Sequence, residues 1–211
     1  AEVEDFVFAS SAAVYGPGGP HAEDDRCDPM GAYAHSKLEA ERAVRSADRR
    51  GLRTTILRFG TAYGEAPVTR YEAVANRFTL LAGTRRPLTV YGDGTQKRPF
   101  IHVRDASDLL CWTLENRGQM AGRTLNAFEQ NVSIMELVEA VRQTYPDVEI
   151  RRTEQDVRTH LSFELEGGTR SLDWAPSHNI TDGLSELISR LRGFSAPAHL
   201  TNSAVQDLDV Q

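Results

Sequence analysis

The run FVFASSAAVYG at residues 6–16 is apolar at its start and changes to small residues before Val-Tyr-Gly. The apolar residues over 3–9 predict a buried strand, and the following SSAA predicts that this strand opens into a loop. A second apolar run, LRTTILRF at 52–59, predicts another buried strand. Between them, residues 34–50 follow a helical period that ends at Gly51. Strand, helix and strand in this order predict an α/β fold with a doubly wound parallel sheet.

The same rules predict the remaining elements. Helices are expected over residues 70–82, from Asp105 to residue 116, from Ser133 to about residue 145, and from Thr181 to Gly193, with Ser133 and Glu136 forming a capping box. Strands are expected over residues 88–91, 124–127, 148–151 and 161–165, and residues 16–29, which are rich in Gly, Pro and Asp, are expected to be loop.

Composition excludes several classes of protein. The net charge of −6 and the absence of a basic stripe argue against nucleic acid as a partner. No apolar run approaches the roughly 20 residues of a membrane span, so no membrane association is expected. Cys27 and Cys111 are too few and too far apart for a disulfide framework, which fits a cytoplasmic location. The six histidines show no ligand spacing, so no metal is predicted.

Tyr33 and Lys37 stand four positions apart in the run YAHSK. Lys37 is one of two lysines among 24 basic residues, which suggests a role that arginine does not fill. One helical turn separates the pair, so the phenol and the ammonium share a face, where the cation favours the phenolate. The spacing alone is also typical of an ordinary surface helix. Ser11 at the end of the preceding strand adds a hydroxyl, and we expect all three to meet in one crevice.

Four segments in order now resemble the extended short-chain dehydrogenase/reductase family, the nucleotide-sugar epimerases and dehydratases. They are FVFASSAAVYG (6–16), YAHSKLEAE (33–41), LRFGTAYG (57–64) and VYGDGTQKRPFIHVRD (90–105). The resemblance implies a Rossmann-like domain, of which residues 1–61 and 99–130 are the C-terminal part. It also implies a smaller α/β substrate domain formed by residues 62–98 and 131–193. Residues 194–211 are expected to be a disordered tail.

The resemblance also implies roles for individual residues. Ser11, Tyr33 and Lys37 would be catalytic, with Tyr33 as the general base. Ser10, Tyr33, Lys37 and Phe59 would bind NAD, with NADP as a possibility, and Lys37 would hold the nicotinamide ribose. The residues implied in binding a nucleotide-diphosphate sugar are Ser11, Thr61, Tyr91, Arg98 and Arg158. A homodimer is implied as well, whereas Arg70 and Tyr71 are predicted to be surface residues and Asp105 a helix cap.

The residues after Ser11 separate the chemistries of the family. The family's 4,6-dehydratases carry two acids there that handle the elimination of water, but this chain has Ala12 and Ala13, and a methyl group cannot transfer a proton. The pattern is most similar to UDP-galactose 4-epimerases, which oxidise the sugar at C4 and return the hydride to the other face. A 4-ketoreductase of deoxysugars that uses NAD(P)H would employ the same three residues and stays an alternative.

The family's G-x-x-G-x-x-G loop for the dinucleotide is not found in these 211 residues. We expect that a larger amino-terminal part carries it. The alternative is a short, non-catalytic dinucleotide-binding or assembly subunit, in which Ser11, Tyr33 and Lys37 would have no turnover to perform. The 211 residues alone would leave a strand edge unpaired, so we expect them to aggregate when produced alone.

Overall fold

Strands and helices alternate along the chain in the structure, a computed structural model that describes residues 3–48, 51–154 and 161–191. The strands are β1 (Asp5–Ser11), β2 (Gly18–His21), β3 (Arg53–Phe59), β4 (Thr61–Tyr63), β5 (Leu88–Tyr91), β6 (Lys97–His102), β7 (Thr124–Ala127), β8 (Gln130–Ser133), β9 (Ile150–Thr153) and β10 (Phe163–Leu165). The α-helices are α1 (Gly31–Asp48), α2 (Val74–Gly83), α3 (Val103–Glu115), α4 (Arg117–Met120), α5 (Ile134–Thr144) and α6 (Ile180–Leu191). The predicted tail at 194–211, Gly193 and Arg158 lie outside the described residues.

A parallel sheet organises the amino-terminal part of the chain. Strand β3 lies between β1 and β7, and all three run in the same direction. Ser11 at the end of β1 pairs with Phe59, which pairs in turn with Ala127. The carboxyl ends of the three strands therefore lie side by side, and the predicted α/β fold with a parallel sheet is confirmed.

Helices cover both faces of this sheet because β3 alternates its side chains between them. Thr54 and Arg58 hydrogen-bond side chains of α1. Thr55 donates to the carbonyl of Met120 in α4, and Leu57 belongs to the same apolar cluster as Met120. This is the double winding that the order of strand, helix and strand predicts.

A second apolar core lies between α2, α5 and α6, with β5 beside them. Its fully enclosed side chains include Phe78, Leu88, Leu137 and Leu184. Strand β5 pairs with β9, and β6 pairs with both β4 and β8. The strand over Leu88–Tyr91 and the capping box of Ser133 and Glu136 are present as predicted. The division into two domains stays a prediction.

Two helix starts differ from their predictions because other side chains cap them. Helix α3 begins at Val103, with the ring of His102 accepting from the backbone N–H of Arg104. The carboxylate of Asp105 does not cap the helix, since it accepts hydrogen bonds from a distant segment. The prediction of Asp105 as a cap is therefore wrong. At α6 the side chain of Asn179 accepts the hydrogen bond expected of Thr181.

Other boundaries shift for local reasons. Residues 16–29 are not all loop, because Gly18–His21 forms a short strand parallel to β10. Helix α2 begins at Val74 rather than at Arg70, whose carbonyl accepts from the side chain of Asn76. The pairing of β6 with β4 and β8 was not predicted. Among the described helices, none is long and apolar enough to cross a membrane.

Strand β1 forms one edge of the parallel sheet. Among the described strands it pairs only with β3, and Phe6 on it is 42% exposed. Exposed apolar residues on a strand edge favour association with other chains. This arrangement agrees with the expectation that the 211 residues alone would aggregate, which a solubility measurement would test.

Candidate active site

A cavity of about 800 Å³ opens at the carboxyl ends of β1 and β3. Open parallel sheets bind ligands at this edge, and the volume is in the range of known ligand sites. Of the residues singled out in the sequence, those that line it are Ser10, Ser11, Tyr33, Phe59, Thr61 and Arg98. Among the described residues that line it, two are arginines and none is acidic.

Ser11 is held at the point where β1 turns into a short 3₁₀ helix at Ala12–Tyr15. Its hydroxyl oxygen accepts from the backbone N–H of Ala13 at 3.2 Å. That bond orients the oxygen and leaves the hydroxyl proton available to a ligand in the cavity. The methyl groups of Ala12 and Ala13 also line the cavity, where an acid would be needed to transfer a proton.

Tyr33 and Lys37 lie on the first turns of α1. The Tyr33 side chain is exposed, and the ammonium of Lys37 lies 5.8 Å from the centre of its ring. Lys37 donates to the carbonyl of Ala9 in β1 at 2.8 Å and lies over the ring of Phe8. The predicted pairing of phenol and ammonium on one helical face is therefore present. Lys37 stands behind Tyr33 and is not itself part of the cavity wall.

The segment after β3 forms the opposite part of the wall. Phe59 is half-buried and packs against the apolar cluster under the sheet. Gly60 lies so close to β6 that a β-carbon would approach the carbonyl oxygen of Pro99 to 2.7 Å, so this position requires glycine. Thr61 follows at the start of β4 and faces the cavity.

Arg98 lies in the cavity wall without a carboxylate partner among the described residues. Its guanidinium donates to the carbonyls of Lys97 and Leu161, and it stacks 4.8 Å from the ring centre of Phe163. Burial lowers the pKa of Arg98 to about 10. A buried guanidinium bound only to neutral carbonyl groups is well suited to an anionic ligand.

The structure separates two predicted residues from this group and adds one. Tyr91 lies on β5, paired with β9, and does not line the cavity. Arg158 lies outside the described residues. Arg70, predicted to be an ordinary surface residue, is exposed but does line the cavity. No local pattern distinguishes Arg70, because its place in the wall depends on how the segment before α2 packs.

Sequence reasoning missed a buried network directly behind the site. Glu41 of α1 accepts from the hydroxyl of Ser10 at 2.6 Å and from two nitrogens of Arg58 at 2.9 and 2.8 Å. The Arg58 guanidinium also donates to the hydroxyl of Tyr15 at 2.8 Å. Burial opposes ionisation of Glu41, but the hydrogen bonds from Arg58 and Ser10 outweigh it and hold the pKa below its usual range. The hydroxyl of Ser10 is thus bound to Glu41, although Ser10 was predicted to bind the cofactor.

A second buried polar cluster lies on the far side of β4 and β6. The Asp105 carboxylate accepts from the backbone and hydroxyl of Ser177 and lies 2.8 Å from Nδ1 of His178. The ring of His178 stacks on that of His102 at 4.1 Å. Possible ligand atoms of these two histidines and Asp105 lie within 4.8 Å of one another, which the spacing of the histidines in the sequence did not reveal. The hydrogen bond between Asp105 and His178 and the stacked rings account for the contact without an ion.

Comparison with known proteins places these features in a family. The model of the NAD dependent epimerase/dehydratase family matches residues 1–127. The chain is 28% identical over 204 residues to an uncharacterized UDP-glucose epimerase, YtcB, of Bacillus subtilis, which covers 90% of this chain and 61% of that protein. It is 26% identical over 194 residues to a UDP-glucuronate 4-epimerase of Thermodesulfobacterium geofontis, which covers 89% of this chain and 59% of that protein. The chain thus spans about three fifths of the length of these relatives.

Solved structures show the same fold. The structure of MoeE5 in complex with UDP-glucose and NAD has a TM-score of 0.75 at 29% identity, over 88% of this chain and 64% of that one. A UDP-glucose 4-epimerase from Thermotoga maritima, solved with UDP-glucose, has a TM-score of 0.79 at 21% identity, over 90% of this chain and 63% of that one, and shows the fold alone. These matches confirm the Rossmann-like fold and the resemblance seen in the four sequence segments.

Proposed function

Because the chain belongs to the NAD dependent epimerase/dehydratase family, we propose that the protein is an NAD-dependent nucleotide-sugar epimerase that acts at C4 of the sugar. One observation carries the proposal: Ser11 and Tyr33 line the same cavity, and the ammonium of Lys37 lies beside the Tyr33 ring. A hydroxyl, a phenol and a cation in this arrangement are suited to removing a proton from a sugar hydroxyl.

The residues present fit the nicotinamide end of NAD. Phe59 offers an apolar wall at the carboxyl end of β3, and Tyr33 and Lys37 lie across from it at the start of α1. When bound, NAD supplies the acceptor for the hydride from the sugar carbon and the donor that returns it. Lys37 and Tyr33 would hold its ribose and its ring.

The chain's own side chains would handle the proton. Tyr33 as the phenolate takes the proton of the C4 hydroxyl while hydride leaves C4, and it gives the proton back when the alcohol forms again. The cation of Lys37 favours the phenolate. Ser11, whose oxygen is already oriented by the N–H of Ala13, donates its proton to the sugar oxygen.

The electrostatics of the cavity support a nucleotide-diphosphate sugar as the substrate. Arg98 is buried and bound only to carbonyl groups, and a diphosphate can occupy its remaining donors. Arg70 adds a second cation to the same lining, which holds no acidic side chain among the described residues.

The alanines after Ser11 favour epimerisation over elimination. Ala12 and Ala13 line the cavity, so neither position can protonate a leaving hydroxyl. A 4-ketoreductase would use Ser11, Tyr33 and Lys37 in the same way, so the product has to separate these two reactions.

The test uses the full-length protein with NAD and with UDP-glucose or UDP-glucuronic acid as probes. An epimerase yields a product of the same mass as the substrate, with a changed proton spectrum at C4 and no net change in NADH. Loss of water would indicate a dehydratase. Loss of carbon dioxide from the acid would indicate a decarboxylase. For the reductase, a 4-keto sugar nucleotide is supplied with NADH, and consumption of one NADH per sugar would replace the epimerase proposal.

Replacement of Tyr33 tests the mechanism itself. Tyr33→Phe should lower kcat by about 10²-fold or more while NAD binding is kept, because only the proton acceptor is lost. Tyr145→Phe, at a half-buried tyrosine that packs on the second apolar core and does not line the cavity, is the matched control and should keep full activity. Full activity of Tyr33→Phe would contradict the mechanism.

A homodimer and a cytoplasmic location belong to the same proposal. Light scattering of the purified full-length protein would test the first, and cell fractionation the second. If the full-length protein binds NAD but turns over no nucleotide sugar, the alternative of a non-catalytic subunit replaces the enzyme.

A further inference from the structure

Glu41 stands two helical turns after Tyr33, on the face of α1 that also carries Lys37. Its side chain is 1% exposed, and its carboxylate accepts three hydrogen bonds, one from Ser10 and two from Arg58. A carboxylate so fully bound cannot move a proton in the proposed reaction. It is therefore free for another role.

The partners of Glu41 are the residues next to the site. Ser10 directly precedes Ser11 in β1, and Arg58 directly precedes Phe59 in β3. Ser11 and Phe59 face each other in the register of the sheet. A single carboxylate thus joins α1 to the last residues of both strands that form the cavity.

The network continues across the sheet. The Arg58 guanidinium donates to the hydroxyl of Tyr15, which donates to the side chain of Asn126 in β7 at 2.7 Å. The carboxyl ends of all three parallel strands are therefore connected to one point on α1.

Helix α1 has few other fixed contacts. Ala34 and Glu41 are its buried residues, and Leu38 is a partly buried neighbour of the cluster around Tyr15. Apolar packing fixes the rotation of a helix only when a broad face is buried. Here Glu41, together with the bond from Lys37 to Ala9, determines where the helix places Tyr33.

Stability alone is a weak reason for such a pair. Buried ion pairs replaced by apolar residues of similar volume often leave proteins equally stable, because desolvation offsets the attraction. Orientation is a better reason, since a displacement of about 1 Å at a reacting group can cost about 10²-fold in rate.

We propose that Glu41 is a positioning residue that sets the distance between Tyr33 and Ser11 through its bonds to Ser10 and Arg58. The inference rests on the proposed function, since it assigns Glu41 a part in that same site. Glu41 acts through its neighbours and touches neither substrate nor cofactor.

The test compares three variants of the full-length protein. Glu41→Gln keeps the shape and one acceptor but loses the charge that holds Arg58. Ser10→Ala removes only the bond from Ser10 and leaves the ion pair intact, so it serves if Glu41→Gln does not fold. Glu39→Gln is the control, because Glu39 is an exposed carboxylate on the same helix, paired with Arg42.

Each variant is assayed for kcat, KM and NAD affinity at a temperature where circular dichroism shows it folded. Glu41→Gln should lower kcat about tenfold or more, and Ser10→Ala about threefold or more, with KM and NAD affinity within about threefold of the wild type. Glu39→Gln should match the wild type.

A purely structural role would lower the melting temperature of the folded variants and leave kcat unchanged, which would overturn the inference. A fall in NAD affinity as large as the fall in kcat would also overturn it, because the network would then act on binding. Wild-type protein inactive on every nucleotide sugar tried would instead overturn the proposed function, and the positioning role with it.

Discussion

Two glutamates are withdrawn from solvent in this protein, and their surroundings differ. Glu41, behind the candidate active site, accepts three hydrogen bonds, and these outweigh its burial and lower its pKa. Glu129, between β7 and β8, accepts from the hydroxyl of Tyr63 at a long 3.3 Å, and burial raises its pKa to about 7. Burial opposes ionisation of both groups, so the charge and number of the donors decide which carboxylate stays ionised.

The neighbours of Glu129 explain why the second region differs. The N–H of Ile180 at the start of α6 favours its charge, but the nearby carboxylate of Asp105 disfavours it. No arginine is bonded to it among the described residues, whereas Arg58 binds Glu41 with two nitrogens. The two regions therefore respond in opposite directions to pH and to mutation.

The largest effect is expected when the ion pair of Glu41 is broken. Glu41→Leu leaves the charge of Arg58 buried without its partner, so the free energy of unfolding should fall by about 3–5 kcal/mol. Urea unfolding of the full-length protein measures this loss. The double variant Glu41→Leu with Arg58→Met should be more stable than Glu41→Leu alone, because the unpaired charge is gone. If the double variant is the less stable, the pair stabilises the fold by itself.

A smaller effect, of opposite sign, is expected at Glu129. Because its folded pKa lies above its unfolded value, the folded state binds more protons, and stability falls as pH rises from about 4.5 to about 7. Glu129→Gln removes this loss and should raise the free energy of unfolding at pH 8 by about 1–2 kcal/mol, allowing for the partial solvent exposure of the side chain. At pH 4 the variant should gain nothing. Urea titrations at both pH values, with Glu39→Gln as a control, measure the difference, and equal effects at the two pH values would contradict this account.

The smallest effect is expected from the hydroxyl of Tyr63. Tyr63→Phe removes the one side-chain donor to Glu129 and should cost about 0.5–1.5 kcal/mol at pH 8. The cost should be smaller at pH 5, where Glu129 is protonated and needs no donor. Tyr145→Phe, at a tyrosine that does not contact Glu129 in the described structure, is the control. A loss independent of pH would mean that the ring packing of Tyr63 matters rather than its bond.

Much of the site could be predicted from the sequence because it depends on near neighbours along the chain. The spacing of Tyr33 and Lys37 gives one helical face, and the position of Ser11 at a strand end places it at the carboxyl edge. The structure brings Ser11, Tyr33, Phe59, Thr61 and Arg98 to one cavity, as the sequence predicts. Their roles in binding and catalysis stay predictions.

The two networks could not be predicted because their members are far apart in sequence. Glu41 is 31 positions from Ser10 and 17 from Arg58, and Asp105 is 73 positions from His178. Glu41 reads in sequence as an ordinary helix residue, and Asp105 reads as a cap. Only the packing of α1 on the sheet and of α6 beside β6 shows which donors reach them.

The amino-acid sequence alone determined the α/β fold, the order of its main strands and helices, and the residues that line the cavity around Tyr33. Periodicity, caps and strand ends depend on neighbouring residues, and these are written in the chain. The tertiary structure alone decided that Glu41 is bound by Arg58 while Glu129 is left with one weak side-chain donor. The charge state of a buried group depends on which distant groups surround it, and that is set when the elements pack.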